Sequence, residues 1–375
     1  MTARIRQREA TFGSEEIRAV EDVLKSGWIT EGRKTAEFEE AIASLTRRKY
    51  TVAISSGGVA LFVALKAAGI GAGDEVVCPV YNMIALPNAV TLAGAKPVFV
   101  DVSSSNGNIN VEKLSEGSPD ARAIVPIHMN GRNASMLEIG AFARDHGLVV
   151  IEDACQALGS KLNDVPLGTG SSGSLAACIS FHPSKIVTTG TGGAVVTDDE
   201  EFALKVRALK DYGQTTRGKV EQLPDNYKTW GLNFRFTDIQ AAIGLAQLQK
   251  LEERMAHISW LYRFYNKEID HSFRLSLDDQ NGFLPWCCDI RLKKPVNEKL
   301  KGRLLSERGV ETRLPYKPMH LQPLYASSAV GDFPGGVETW QTHLWLPTGP
   351  HVNEERARYV AEAVNEVGLR VHSEN

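Results

Sequence analysis

Cysteine is scarce in this chain: Cys78, Cys155, Cys178, Cys287 and Cys288 are five in 375 residues, an odd number with no Cys-x-x-Cys pair. That spacing supplies neither a zinc ligand set nor a disulfide framework, so no metal site is expected. Apolar runs of about eighteen residues are absent, and so is any expected membrane span. The first residues, MTARIRQREATFG, lack the apolar core of a secretory signal, so the expected location is cytoplasmic. Charge of one sign is not in excess: 42 Lys and Arg against 45 Asp and Glu leave −3. That balance argues against nucleic acid or a membrane surface as partner. Repeats and low-complexity tracts are missing too. What remains is ordinary globular composition in a chain long enough to bury a core without staples.

Seven short apolar runs alternate with helical stretches between Tyr50 and Val196. They are 51–54, 75–78, 97–100, 123–127, 148–151, 177–181 and 194–196. Runs apolar at every position indicate strands buried on both faces, hence an α/β protein with a parallel sheet between helices. Ahead of them, Ser14 is placed to cap a helix whose apolar residues are Ile17, Val20 and Leu24, and Phe38, Ile42 and Leu45 share a face of a second. From Gly213 to Phe236 the pattern lapses, as it does in functional loops. Thr237 then caps a long helix expected to run to about Ile269. The rest reads as a smaller α+β domain, which divides the chain into residues 1–250 and 251–375.

Three motifs fall at the C-terminal ends of expected strands, where open α/β sheets bind ligands. SSGGVAL (55–61) places two glycines and a helix start where backbone N–H groups can cradle an anion. VVIEDACQALG (149–159) ends an apolar strand with Glu152 and Asp153, carboxylates that need partners there. ISFHPSKIVTTGTGG (179–193) holds Lys185 just past another strand. A lysine in a partly desolvated site has a lowered pKa and forms Schiff bases. An anion cradle, an acid for a ring nitrogen and an amine for an aldehyde are together what pyridoxal 5'-phosphate (PLP) requires.

At these residues the sequence resembles the DegT/DnrJ sugar aminotransferases, within the aspartate-aminotransferase-like superfamily. The likeness runs from SGWITEGRKTAEFEEAIA (26–43) through GIGAGDEVVCP (69–79), IEDACQALGS (151–160) and SFHPSK (180–185). It continues through GLNFRFTDIQAAIGLAQL (231–248) to GVETRLPYKPMHLQPLY (309–325). The resemblance implies a PLP-dependent transferase of fold type I. Its large domain would hold a mainly parallel seven-stranded sheet, followed by the smaller C-terminal domain. It implies that Lys185 is the Schiff-base lysine and proton carrier, that Asp153 pairs with the pyridinium nitrogen and that Gln156 lies beside the ring. Ser180 would donate to the phosphate with the backbone at Gly57, Gly58 and Val59. Asn233 would reach the phosphate of a neighbouring subunit, making a homodimer with shared active sites.

Two positions depart from the family pattern. Gly57-Gly58 stands where Gly-Thr is usual, which removes one hydroxyl donor. Met83 stands where an aromatic residue stacks on the cofactor ring. Tyr81, two residues away and on the same face of a strand, is a candidate substitute. Residues expected near the substrate are Tyr81, His182, Arg313, Tyr316 and His320, with Arg313 suited to a sugar diphosphate. His128 is read as structural, Asp101 as a cap or turn, and Trp340 and Trp345 as core. The resemblance implies that L-glutamate converts PLP to pyridoxamine 5'-phosphate. The amino group then passes to a keto-sugar, most often a nucleotide-linked 4-keto-6-deoxyhexose. A sugar dehydratase of the same family would carry histidine in place of Lys185, and a non-catalytic PLP-binding regulator would need a DNA-binding motif that is not evident.

Overall fold

Each apolar run becomes a strand because only a sheet with helices on both sides can bury successive apolar positions. The computed structural model describes residues 4–374 except 118, 171, 215–226, 228 and 276–281. Strands β1 (Tyr50–Ile54), β2 (Glu75–Pro79), β3 (Lys96–Val100), β4 (Ala121–Ile124) and β5 (Val149–Asp153) come first. A short hairpin, β6 (Lys161–Leu162) and β7 (Val165–Pro166), precedes β8 (Ala176–Ser180) and β9 (Gly193–Thr197). The main sheet has seven strands in the order β1-β9-β8-β5-β4-β2-β3. Only β9 runs against its neighbours; the β8-β5-β4-β2-β3 stretch is parallel throughout. Side chains alternate across it: Val52 and Ile54 join the core under one helical layer, Ala53 the core under the other.

Helices α1 (Ser14–Ser26) and α2 (Arg33–Thr46) precede the sheet, α3 (Gly57–Ala67), α4 (Ala85–Leu92) and α5 (Met136–His146) connect its strands, and α6 (Glu200–Lys210) follows its last strand. Gly13, not Ser14, caps α1, because the Glu16 carboxylate turns back to accept the Gly13 N–H at 2.7 Å. Of the three apolar residues expected on that helix, Ile17 and Leu24 are 68% and 56% exposed and Val20 is half-buried; the apolar residue that the helix buries is Val23. The helix expected to run unbroken from Thr237 is two helices, α7 (Asp238–Gln249) and α8 (Leu251–Glu268). Lys250 breaks the run as its ammonium reaches Glu15 and Glu16.

A second core gathers Leu261, Tyr265, Ile290, Leu304, Leu344 and Val364. It is built from α8, α9 (Asn297–Arg308), α11 (Glu354–Ser373) and a sheet ordered β10 (Arg274–Leu275), β11 (Asp289–Leu292), β12 (His343–Trp345). The chain crosses between the two cores more than once. Ile5 bridges to Val310 and packs in the second core; Met319, Tyr325 and Phe333, just before α10 (Pro334–Thr342), return to the first. Asp101 anchors that return by accepting the N–H groups of Gly335 and Gly336 at the start of α10. Most of the expected loop 213–236 lies outside the described residues, and its base closes where Asp211 pairs with Asn233.

Candidate active site

The start of α3 meets the end of β8 because Gly57 has no side chain. A Cβ on Gly57 would lie 2.8 Å from the Ser180 Cβ and 3.0 Å from the Cys155 sulfur. Ser56 caps the helix by accepting the Val59 N–H, so the first turn is fixed with its remaining N–H groups facing outward. Gly57, Gly58, Val59 and Ser180 are thus brought together.

At the end of β5 the two carboxylates take opposite faces of the strand. Glu152 receives His128 Nε2 at 2.8 Å, the Ser174 hydroxyl, and Arg48 at 3.8 Å. Burial alone would raise its carboxyl, but these partners outweigh it and hold it below the usual range. The Ala134 N–H donates to His128 Nδ1, so the ring proton sits on Nε2 and His128 is structural. Asp153 is only 6% exposed, and among the described residues its partners are the N–H and thiol of Cys155. Burial pushes its carboxyl up, against the opposing pull of Cys155, Lys185 and His128. Among the described residues it is a buried acid without a salt-bridge partner.

Lys185 supplies the amine. Its ammonium lies 3.9 Å from the centre of the Trp286 ring, and burial pushes its pKa down to about 8, against the attraction of Cys155 and Asp153. Trp286 is locked in turn by donating its indole N–H to the Ser184 carbonyl at 2.8 Å. The Gln156 carbonyl accepts the Asn130 N–H at 2.9 Å, which fixes its side chain near the end of β5.

Other expected residues are placed less uniformly. Met83 is 45% exposed, with its sulfur accepting the Ala85 N–H. Tyr81 does not share the exposure of Met83. The chain has left β2 by then, and Tyr81 is 2% exposed, packed under Gly107 and against Tyr316. His182 is exposed and held by Ser184; burial, with Lys185 and Arg313 nearby, keeps it below its usual pKa. Arg313 lies over Trp345 and Tyr316 at 5.4 and 5.8 Å. His320 is not part of that group: it packs on Phe333 at 5.0 Å, on the side of Asp101 and Asp332. Asn233 is exposed, and among the described residues its side chain accepts only the N–H of Arg235 in its own loop. Trp345 is buried as core, whereas Trp340 is half-buried.

Sequence reasoning missed Trp286, Asn130 and Arg8. Asn130 adopts a left-handed conformation (φ 54°), which asparagine tolerates better than most residues. From there its side chain clamps the backbone of Cys287 while its own carbonyl accepts the Trp286 N–H. Arg8 donates to the Trp286 carbonyl. The segment PWCCD bears no motif, and only the fold brings it to Lys185.

A mostly parallel sheet that ends in a glycine-bounded helix start, a buried acid and a desolvated lysine is the framework of a fold type I PLP-dependent aminotransferase. The residues fit that cofactor: Gly57 leaves room at the helix start, Asp153 has no salt-bridge partner among the described residues and burial lowers the pKa of Lys185. The chain belongs to the DegT/DnrJ/EryC1/StrS aminotransferase family, whose model matches residues 10–365. GDP-perosamine synthase of Caulobacter vibrioides is 34% identical, covering 92% of this chain and 93% of that protein. The spore coat polysaccharide biosynthesis protein SpsC of Bacillus subtilis is 32% identical over 95% of both chains. The crystal structure of DesV from S. venezuelae in complex with a ketimine intermediate is 32% identical, covers 95% and 94% of the two chains and superposes with a TM-score of 0.87. The protein is an enzyme, a PLP-dependent sugar aminotransferase of amino-sugar biosynthesis. Among the described residues no helix is long and apolar enough to cross a membrane.

Proposed function

We propose that the enzyme moves the amino group of L-glutamate to the carbonyl of a nucleotide-linked 4-keto-6-deoxyhexose, working in the cytoplasm as a homodimer. The observation that carries the reading is Lys185, an amine brought to a pKa of about 8 beside Trp286 and within electrostatic reach of the buried acid Asp153. The relatives, GDP-perosamine synthase among them, support the nucleotide-sugar class.

When bound, PLP supplies an electron sink for negative charge at a substrate carbon. In this reading the N–H groups of Gly57, Gly58 and Val59, with the Ser180 hydroxyl, hold its phosphate at the positive end of α3. Asp153 would pair with the ring nitrogen, and Gln156 and Met83, the latter through its polarizable sulfur, would pack beside the ring. Lys185, with a pKa near the ambient pH, both accepts and returns the proton at the substrate carbon. Held in place by Trp286, it acts by proximity as much as by basicity. His182, Arg313 and Tyr316 line the approach for the sugar nucleotide. The partner subunit's Asn233 completes the phosphate site.

Incubated with PLP and L-glutamate but no acceptor, the enzyme should release close to one equivalent of 2-oxoglutarate per site. Lys185→Ala should release none while still folding. Absence of release from the unsubstituted enzyme, with other amino donors active, would replace glutamate as donor; absence with every donor would overturn the transaminase reading.

A further inference from the structure

The N-terminal segment, α9 and the segment after it up to Arg313 border a cavity of about 420 Å3 lined by Arg4, Arg8, Lys301, Glu311, Thr312 and Arg313. A volume of that size suits a small ligand. Four cations face a single carboxylate, and Glu311 is already engaged by Arg4 at 3.5 Å. Arg8, Lys301 and Arg313 have no carboxylate partner among the described residues. Among the described residues Arg8 donates to the Trp286 carbonyl and meets the Cys287 thiol, and Arg313 rests on aromatic rings. Thr312 points to the same need from a different direction. It is 3% exposed, and its hydroxyl has no hydrogen-bond partner. A buried donor left unpaired and the desolvated Arg8 guanidinium without a counter-ion are both unfavourable. An oxyanion removes both penalties together, because it accepts from hydroxyl, ammonium and guanidinium alike.

The cavity is also one aromatic layer from the reactive amine. Arg8 holds the carbonyl of Trp286, whose ring carries the Lys185 ammonium at 3.9 Å. Arg313 lies on Trp345, which meets Trp286 edge-on at 5.2 Å. A ligand with its reacting carbon at Lys185 and an acidic group some bonds away would place that group among these cations.

We infer that this cavity is an oxyanion subsite of the active centre, built to take a phosphate or carboxylate carried by a substrate. Calling the ligand a substrate rests on the aminotransferase reading above, whereas the binding of an anion does not. Two sources share the chemistry, the diphosphate of the amino acceptor and a carboxylate of the amino donor.

Calorimetric titration of the PLP-loaded enzyme with inorganic pyrophosphate and, separately, with 2-oxoglutarate tests the inference. Lys301→Met should weaken one of these probes about tenfold, the loss of one charge-assisted contact. Thr312→Val should weaken the same probe several-fold, and Thr312→Ser, which keeps the hydroxyl, should bind as the parent does. Binding should weaken with added salt, and the visible absorption of bound PLP should report that each variant is folded and loaded. A loss confined to pyrophosphate assigns the subsite to the acceptor, and a loss confined to 2-oxoglutarate assigns it to the donor. Equal affinities in parent, Lys301→Met and Thr312→Val for both probes, or no binding of either, would overturn it. Anion binding that persists in an enzyme unable to release 2-oxoglutarate from glutamate would leave the subsite standing and sink the transaminase reading instead.

Discussion

Gly57 and Gly58 are adjacent, yet they carry different physical requirements. A side chain at Gly57 would collide with Ser180 and Cys155, whereas a Cβ at Gly58 meets nothing closer than the Ala85 Cβ at 3.6 Å, an ordinary contact. Gly58 is therefore not demanded by packing, and it weakens its helix relative to most residues. Gly58→Thr should fit without strain and add a hydroxyl to the cradle. One net hydrogen bond, about 1 kcal/mol, corresponds to roughly fivefold tighter retention of PLP. Equilibrium dialysis of PLP against both proteins reads the difference, with Gly57→Ala as the opposite case, expected to lose cofactor by displacing Ser180. Unchanged affinity in Gly58→Thr would mean that the phosphate does not lie at this helix start.

Between elements, the turn after β4 and the start of β11 are joined by a buried ion pair. Arg132 grips Asp289 through two bonds of 2.9 and 3.1 Å, with both side chains at most 2% exposed. Burial would raise the Asp289 carboxyl, but Arg132 and His343 outweigh it and hold it at about 2. Removing one partner from such a pair leaves a buried unmatched charge, so Asp289→Asn should cost about 3–5 kcal/mol by urea unfolding at pH 7. The double variant Arg132→Met/Asp289→Leu should recover most of that loss. The sign with pH follows from the depressed pKa: the contribution is complete above about 4, the unfolded value, and is lost as pH falls toward 2. Acid should accordingly narrow the gap between parent and Asp289→Asn. A gap that stays constant from pH 7 to pH 3 would count against this pair as its source. The pair also shows where sequence reading stops. The seven strands were legible because their apolar runs leave no other way to be buried. Lys185, Asp153 and the cradle were legible because each ends such a run. The break at Lys250 was not, since the helical pattern continues through it and the cause is a contact with Glu15 and Glu16. Nor were Trp286 and Asn130, whose roles arise only when β11 docks against the turn after β4.

At the scale of the whole molecule, the surface around α1 is hard to reconcile with an isolated chain. Ile17 and Leu24 are more than half exposed, and Phe12, Trp28 and Ile29 beside them are exposed at 52%, 42% and 50%. Near the base of the loop that carries Asn233, Tyr212, Trp230 and Leu232 are exposed at 44%, 52% and 54%. Contiguous apolar surface of this kind marks an interaction site, and a second copy of the same chain would cover it by bringing like patches together. Asn233 adds the functional argument: the resemblance implies that it reaches a neighbouring subunit's phosphate, yet among the described residues its side chain accepts only the N–H of Arg235. If both observations have one cause, association and cofactor retention must fail together. Leu24→Glu should shift the protein from dimer to monomer in sedimentation velocity and weaken PLP binding, although Leu24 lies outside the site. Asn233→Ala should weaken PLP binding about as much while leaving the dimer intact. A Leu24→Glu monomer that retains PLP as the parent does would show that each chain completes its own phosphate site, and the shared-site arrangement would have to be abandoned.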